Sequence, residues 1–191
     1  MSTAAIPSPS GPLKPSHARF RRAFNLLEQY IEQTYGIPIR ISDVPDPFTG
    51  DLDGAEIHID YDLHPEEGLA ILAHLFGHTI QWNLSEHGRT VGVQAPDQGI
   101  TEARLKELYD YELEAARYSL KLFHDAGLTD LDQWISDYFH CDWAYLAHFY
   151  RTGEKRGFFS FWQDGGARIT PLAIPAFTPQ SWRGRFSGVV V

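Results

Sequence analysis

Residues Glu66–Asn83 read EEGLAILAHLFGHTIQWN, and the fold of the chain turns on how this stretch is read. Apolar residues from Leu69 to Trp82 occupy nearly every face of a 3.6-residue helix, the pattern of a central, buried one. Pro65 suits the first turn of such a helix, and Glu66 and Glu67 suit its positive N-terminus. Within the run, His74 and His78 stand four residues apart, so both imidazoles project from one face, one turn apart. Glu67, Ile71 and Gln81 share that side. Two histidines so spaced can grip a single metal ion.

Upstream, AEIHIDYD (55–62) alternates as a strand does, with Ile57 and Ile59 on one face and His58 and Asp60 on the other. IPIRISDV (37–44) reads as a shorter strand, and the two are expected to pair antiparallel. DPFTGDLDG (46–54), between them, is rich in Asp, Gly and Pro and reads as a turn. A helix is expected from His17 to Tyr35: Phe20, Phe24, Leu27, Tyr30 and Ile31 recur at spacings of three and four, and Gly36 is a stop signal. Residues 1–16 are rich in Ser and Pro and are expected to form a flexible arm.

Downstream, residues 85–101 read as a polar, Gly-containing loop, and loops of that length also serve as lids. Glu102 to Ala126 has a helical period, closed by Gly127. Leu105, Leu108, Ala115, Leu120 and Phe123 mark its broad apolar face; Glu107, Asp110, Glu114, Arg117 and Lys121 cluster opposite. Glu112 breaks this pattern, because it falls near the middle of the apolar face. A carboxylate there is costly unless it meets a cation, a metal or a proton donor. Thr129 to Tyr150 carries a further helix or helix pair, and residues 151–191, rich in Gly, Pro and aromatics, are expected to wrap the same domain (17–150) as extended segments ending in Val189–Val191.

The 191-residue chain is long enough for one full-sized core and has an ordinary hydrophobic content of 43%. A net charge of −9, with no basic stripe, argues against nucleic acid as a partner. No apolar run approaches a membrane span. The N-terminal sequence lacks the apolar middle of a signal peptide, and the single cysteine, Cys141, precludes an internal disulfide; the expected location is the cytoplasm.

His74, His78 and Glu112 together make a three-ligand site with room for water or substrate. Such a set serves zinc and facial non-haem iron alike, so the expected cofactor is one divalent ion, Zn2+ or Fe2+. The bland alternative is a pair of hydrogen-bonded core histidines with Glu112 as partner. Cys141 reads more readily as a small core residue than as a fourth ligand. His87–Arg89 could meet an anion, although loop residues of this kind are usually solvated.

The order AEIHIDYDLHPEEGLAILAHLFGH, then YELEAARYSLKLF, resembles the zincin-type metallopeptidases of the ImmA/IrrE group over about residues 18–125. The resemblance implies an α+β, mostly helical domain with a small sheet, a central metal-binding helix and a following helix that carries glutamate. His74 and His78 match the metal histidines. Glu112 and Glu114 match the two acidic positions of the later motif, and the helical period favours Glu112, with Glu114 as the alternative third ligand. Position 75, glutamate in HExxH, is leucine here. Leucine cannot take a proton from metal-bound water, assistance typically worth about a hundred- to ten-thousand-fold. His140, Asp142 and His148 are candidates to replace the base, and Gln81 to orient water.

Three functions follow. The favoured one is a metal-dependent enzyme doing non-proteolytic chemistry on a small molecule, as a lyase, isomerase, cyclase or oxygen-dependent enzyme. The others are a metallohydrolase that cleaves peptides or amides with a substitute base, and a non-catalytic pseudo-peptidase acting as a binding or regulatory module.

Overall fold

The structure, a computed structural model, describes residues 15–46, 48–93 and 100–184. Most of the flexible-arm expectation, the middle of the expected 85–101 loop and the Val189–Val191 run therefore lie outside the described residues. The architecture is α+β, dominated by helices, with one small three-stranded mixed sheet. Among the described residues no helix is long and apolar enough to cross a membrane.

Helix α1 (His17–Tyr35) begins where the Ser16 hydroxyl accepts the Arg19 N–H at 3.3 Å and ends at Gly36. Its buried stripe is Phe20, Ala23, Leu27 and Ile31. Strands β1 (Ile39–Ser42), β2 (Gly50–Leu52) and β3 (Ile57–Asp60) follow, in the sheet order β1-β3-β2. The expected antiparallel pairing of the first and last strands is wrong. β1 runs parallel to β3, and it is β2, inside the stretch read as a turn, that pairs antiparallel with β3. The tight turn lies between β2 and β3, where Asp53 Oδ1 accepts the N–H groups of Ala55 at 2.7 Å and Glu56 at 2.8 Å. An Asp-Gly pair placed so late in the connection folds the chain back onto β3 and leaves β1 to join from the other side.

Helix α2 (Pro65–Leu84) is the hub, packed against α1, β2, β3 and two later helices. Leu69, Leu72, Leu75, Phe76, Ile80 and Trp82 are inaccessible to solvent. Instead of a simple loop, Glu86–Val93 forms a short helix, α3. The Ser85 hydroxyl accepts the Gly88 N–H at 2.9 Å and caps it. Two glycines in eight residues disfavour a helix intrinsically, so here the cap and the contact with α2 outweigh propensity. Helix α4 (Glu102–Asp125) packs on α2 along its apolar face, and the Ser119 hydroxyl donates across the interface to the Ala73 carbonyl at 2.6 Å.

A 3-10 turn (Thr129–Leu131) leads into α5 (Asp132–Thr152), a single helix that packs on α4. The described C-terminal residues have no regular structure beyond a 3-10 turn at Phe158–Phe161. Leu172 N–H donates to the Arg117 carbonyl at 3.1 Å, and Asp137 accepts from Gly165 and Gly166. Further on, Trp182 N–H donates to the Asp53 carbonyl at 2.8 Å, and the Arg89 guanidinium lies 3.7 Å from the centroid of the Trp182 ring. Arg89, in the stretch read as able to meet an anion, thus ties the C-terminal segment to the end of α2, where it also donates to the Trp82 carbonyl.

Candidate metal centre

The wall between α2 and α4 is built on one missing side chain. A Cβ at Gly77 would sit 2.3 Å from the Ala115 carbonyl oxygen, so only glycine lets the two backbones come this close. Glu112 lies on α4 just before that contact, and His74 and His78 flank Gly77 on α2. The close approach therefore delivers the carboxylate to the imidazoles.

His74 Nε2 and His78 Nε2 are 3.1 Å apart. Glu112 Oε2 lies 3.2 Å from His78 Nε2 and 4.0 Å from His74 Nε2. Atoms about 2.0–2.1 Å from one tetrahedral ion stand roughly 3.3 Å apart. Two of these separations already match, and a modest turn of the carboxylate would bring in the third. Glu112 Oε2 is buried and, apart from the His78 ring nitrogen 3.2 Å away, has no hydrogen-bond partner among the described residues, an expensive condition for a carboxylate oxygen unless a cation faces it. The residues present fit a divalent ion, and His74, His78 and Glu112 are a group of three that could hold one.

The charges agree with that fit. Burial, and then the neighbouring His78, push His74 down to about 4, against a smaller upward pull from Glu112. For His78 burial also acts downward, but the Glu112 carboxylate and the contacts with Glu112 and Gln81 outweigh it, and the pKa rises. Glu112 is raised by burial, yet His78 and His74 bring it below the usual carboxylate range. The group thus accommodates a positive charge between His78 and Glu112, which a metal would supply while displacing the proton.

Around this group the outer contacts differ for the two histidines. His78 Nδ1 is 2.8 Å from Gln81 Oε1, and Gln81 Nε2 donates to the Tyr111 carbonyl and to Glu114 Oε2, each at 2.8 Å. Gln81, the candidate to orient water, is thus engaged with His78, Tyr111 and Glu114. Glu114, the alternative ligand, holds Gln81 instead. His74 Nδ1 lies 3.9 Å from Asp142 Oδ2 on α5. Burial, and then Glu112, lift Asp142 to about 7, against a smaller opposing effect of His78. Of the three candidate substitute bases only Asp142 arrives. His140 Nε2 is 2.7 Å from the Ala167 carbonyl, and His148 lies beside Thr152 with its ring against Phe161. Cys141 is buried, donates to the Phe158 carbonyl at 3.4 Å and has its thiol pushed up to about 11 by burial and then Asp142; it is a core residue.

Sequence reasoning missed Tyr111, whose ring stacks on His78 with centroids 4.6 Å apart. Its phenol oxygen accepts the Trp82 indole N–H at 3.1 Å. Burial, and then Glu112, raise the phenol pKa, so it stays neutral. Adjacency to Glu112 was the only available signal.

Leu75, where a base would stand, is fully buried beneath β2. A Cβ on Gly50 would meet Leu75 Cδ1 at 2.7 Å and Ile71 Cγ2 at 2.8 Å, so the strand lies directly on this part of α2. The side chains of His74 and Asp142, 21% and 23% exposed, mark the accessible side of the group, facing α5. Compared with known protein families, curated proteins and solved structures, the chain matches none.

Proposed function

We propose that this protein is a metal-dependent enzyme in which His74, His78 and Glu112 hold one divalent ion, zinc or iron, and that it acts on a small molecule by chemistry other than peptide hydrolysis. One observation carries the reading: two imidazole Nε2 atoms converge on a buried carboxylate oxygen that has no other hydrogen-bond partner among the described residues, while the position of the usual base is covered by β2. The order of sheet, histidine helix and glutamate helix supports a degenerate zincin-like domain akin to the ImmA/IrrE group. A bound ion supplies Lewis-acid polarisation or, as iron, a redox centre. The chain does the rest. Gln81 and Tyr111 hold the His78 ring, β2 keeps water from the Leu75 side, and substrate reaches the group from the α5 side. There Asp142, near 7, can hold or release a proton.

That placement of Asp142 also favours a second reading, a metallohydrolase in which this carboxylate replaces the missing glutamate. Metal titration and peptide assays separate the possibilities. Stripped protein is expected to take up about one equivalent of zinc. Alanine at His74, His78 or Glu112 is expected to weaken uptake on the order of 100-fold or more, a share of the roughly 10–16 kcal/mol that a structural zinc site supplies. Wild-type affinity in all three variants would refute the site. Peptide cleavage by the loaded protein that disappears in Asp142→Asn would establish the second reading over the first.

A further inference from the structure

We infer that Glu114 and Gln81 form a positioning relay that fixes a hydrogen on Nδ1 of His78 and so leaves Nε2 as the nitrogen that a metal can take. The inference follows from which groups can donate. The Gln81 side-chain nitrogen faces the Tyr111 carbonyl and Glu114 Oε2, both at 2.8 Å. Turning the amide over would set its oxygen against a carbonyl and a carboxylate, two acceptors without a hydrogen between them. With the nitrogen so committed, Oε1 faces His78 Nδ1 at 2.8 Å and can only accept. His78 must then carry its hydrogen on Nδ1. A neutral imidazole has one N–H, so the proton that His78 gives up on becoming neutral is the one on Nε2, the atom 3.2 Å from Glu112 Oε2 and 3.1 Å from His74 Nε2.

Three features make this a device rather than an incidental contact. Gln81 is 2% exposed, so water does not compete for its amide. Tyr111, whose backbone carbonyl anchors the amide, also stacks its ring on His78 and resists rotation of the imidazole. Glu114 accepts one of the two Gln81 N–H groups while the Tyr111 carbonyl accepts from the same nitrogen, so the amide can present only its oxygen to His78. His74 has no equivalent among the described residues: its Nδ1 lies 3.9 Å from Asp142 Oδ2, beyond hydrogen-bond range. His78 is thus the fixed ligand and His74 the adaptable one. The affinity part of this inference rests on the proposed metal centre; the tautomer part does not.

The test is long-range proton–nitrogen NMR of the metal-free full-length protein at alkaline pH, where both imidazoles are neutral, combined with zinc titration. Wild-type His78 is expected to show Nδ1–H. Gln81→Met is expected to lose that preference and to weaken zinc binding about 10–100-fold. The swap Gln81→Glu with Glu114→Gln keeps an acceptor behind Nδ1 and supplies a donor from position 114, but sets an oxygen against the Tyr111 carbonyl, so it should recover the tautomer without the full zinc affinity. Glu114→Gln alone keeps an acceptor for the Gln81 amide and should retain the tautomer. An Nε2–H tautomer in the wild-type protein overturns the relay, whether or not any variant folds. So does a Gln81→Met protein with unchanged tautomer and zinc affinity. An Nδ1–H tautomer in a protein that takes up no zinc upholds the relay and overturns the metal centre.

Discussion

Gly77→Ala is expected to lower the melting temperature by about 6–12 °C and to weaken zinc binding about 10–100-fold. The added methyl carbon would lie 2.3 Å from the Ala115 oxygen, 2.8 Å from its carbonyl carbon and 2.9 Å from its Cα. All three are backbone atoms, so no side-chain rotation relieves the clash, and α2 and α4 must separate. Overpacking typically costs about 1–3 kcal/mol, and a backbone clash belongs at the upper end. For a chain of this size each kcal/mol shifts the midpoint by about 2–4 °C. The effect on metal follows because Glu112 rides on the helix that is pushed away, and disturbing the support of a ligand typically costs one to two orders of magnitude. Gly157→Ala is the control: nothing lies within 4 Å of its added carbon, so stability should stay within about 0.5 kcal/mol. Thermal melts and zinc titrations of the two variants check both numbers. A Gly77→Ala protein as stable as wild type would mean that the helices are not in this contact.

Leu75→Glu is expected to destabilise the fold by about 4 kcal/mol without creating a peptidase. Leu75 has no exposed surface and lies under Gly50 of β2 within the main core. An unpaired carboxylate in such surroundings typically costs several kcal/mol. Leu75→Met, which preserves volume, should cost less than about 1.5 kcal/mol. Denaturant unfolding compares the pair, and a fluorogenic peptide assay of the zinc-loaded variants tests the chemistry. A stable Leu75→Glu protein that cleaves peptides would show that position 75 still reaches the metal and that β2 does not cover it.

The two variants also show how much the sequence disclosed. Spacing alone placed His74 and His78 on one face, because the 3.6-residue period is a local property. The same period singled out Glu112 as the misplaced carboxylate of α4, and the structure brings it to His78. What periodicity could not show was how elements meet. The strand hidden in TGDLDG depends on β3 and α2 to form, so its local sequence reads as a turn. The burial of Leu75 depends on the register of that strand. Gln81 looked free to orient water because its partners, Tyr111 and Glu114, belong to another helix. His140, Asp142 and His148 share α5, yet only Asp142 reaches the group, since rotation about α4 decides which face of α5 is presented. Helix α3 escaped notice for a different reason: two glycines lowered its intrinsic propensity below what the Ser85 cap could reveal.

The central claim is that His74, His78 and Glu112 form a metal site. The most direct measurement is an anomalous-difference map, recorded at the zinc edge, from crystals of the zinc-loaded protein. The expected result is one dominant peak about 2.0–2.2 Å from His74 Nε2, His78 Nε2 and a Glu112 carboxylate oxygen, with at least one coordination position free of protein on the α5 side. A map with no peak there, or with the zinc held elsewhere and the three side chains unmoved, would contradict it.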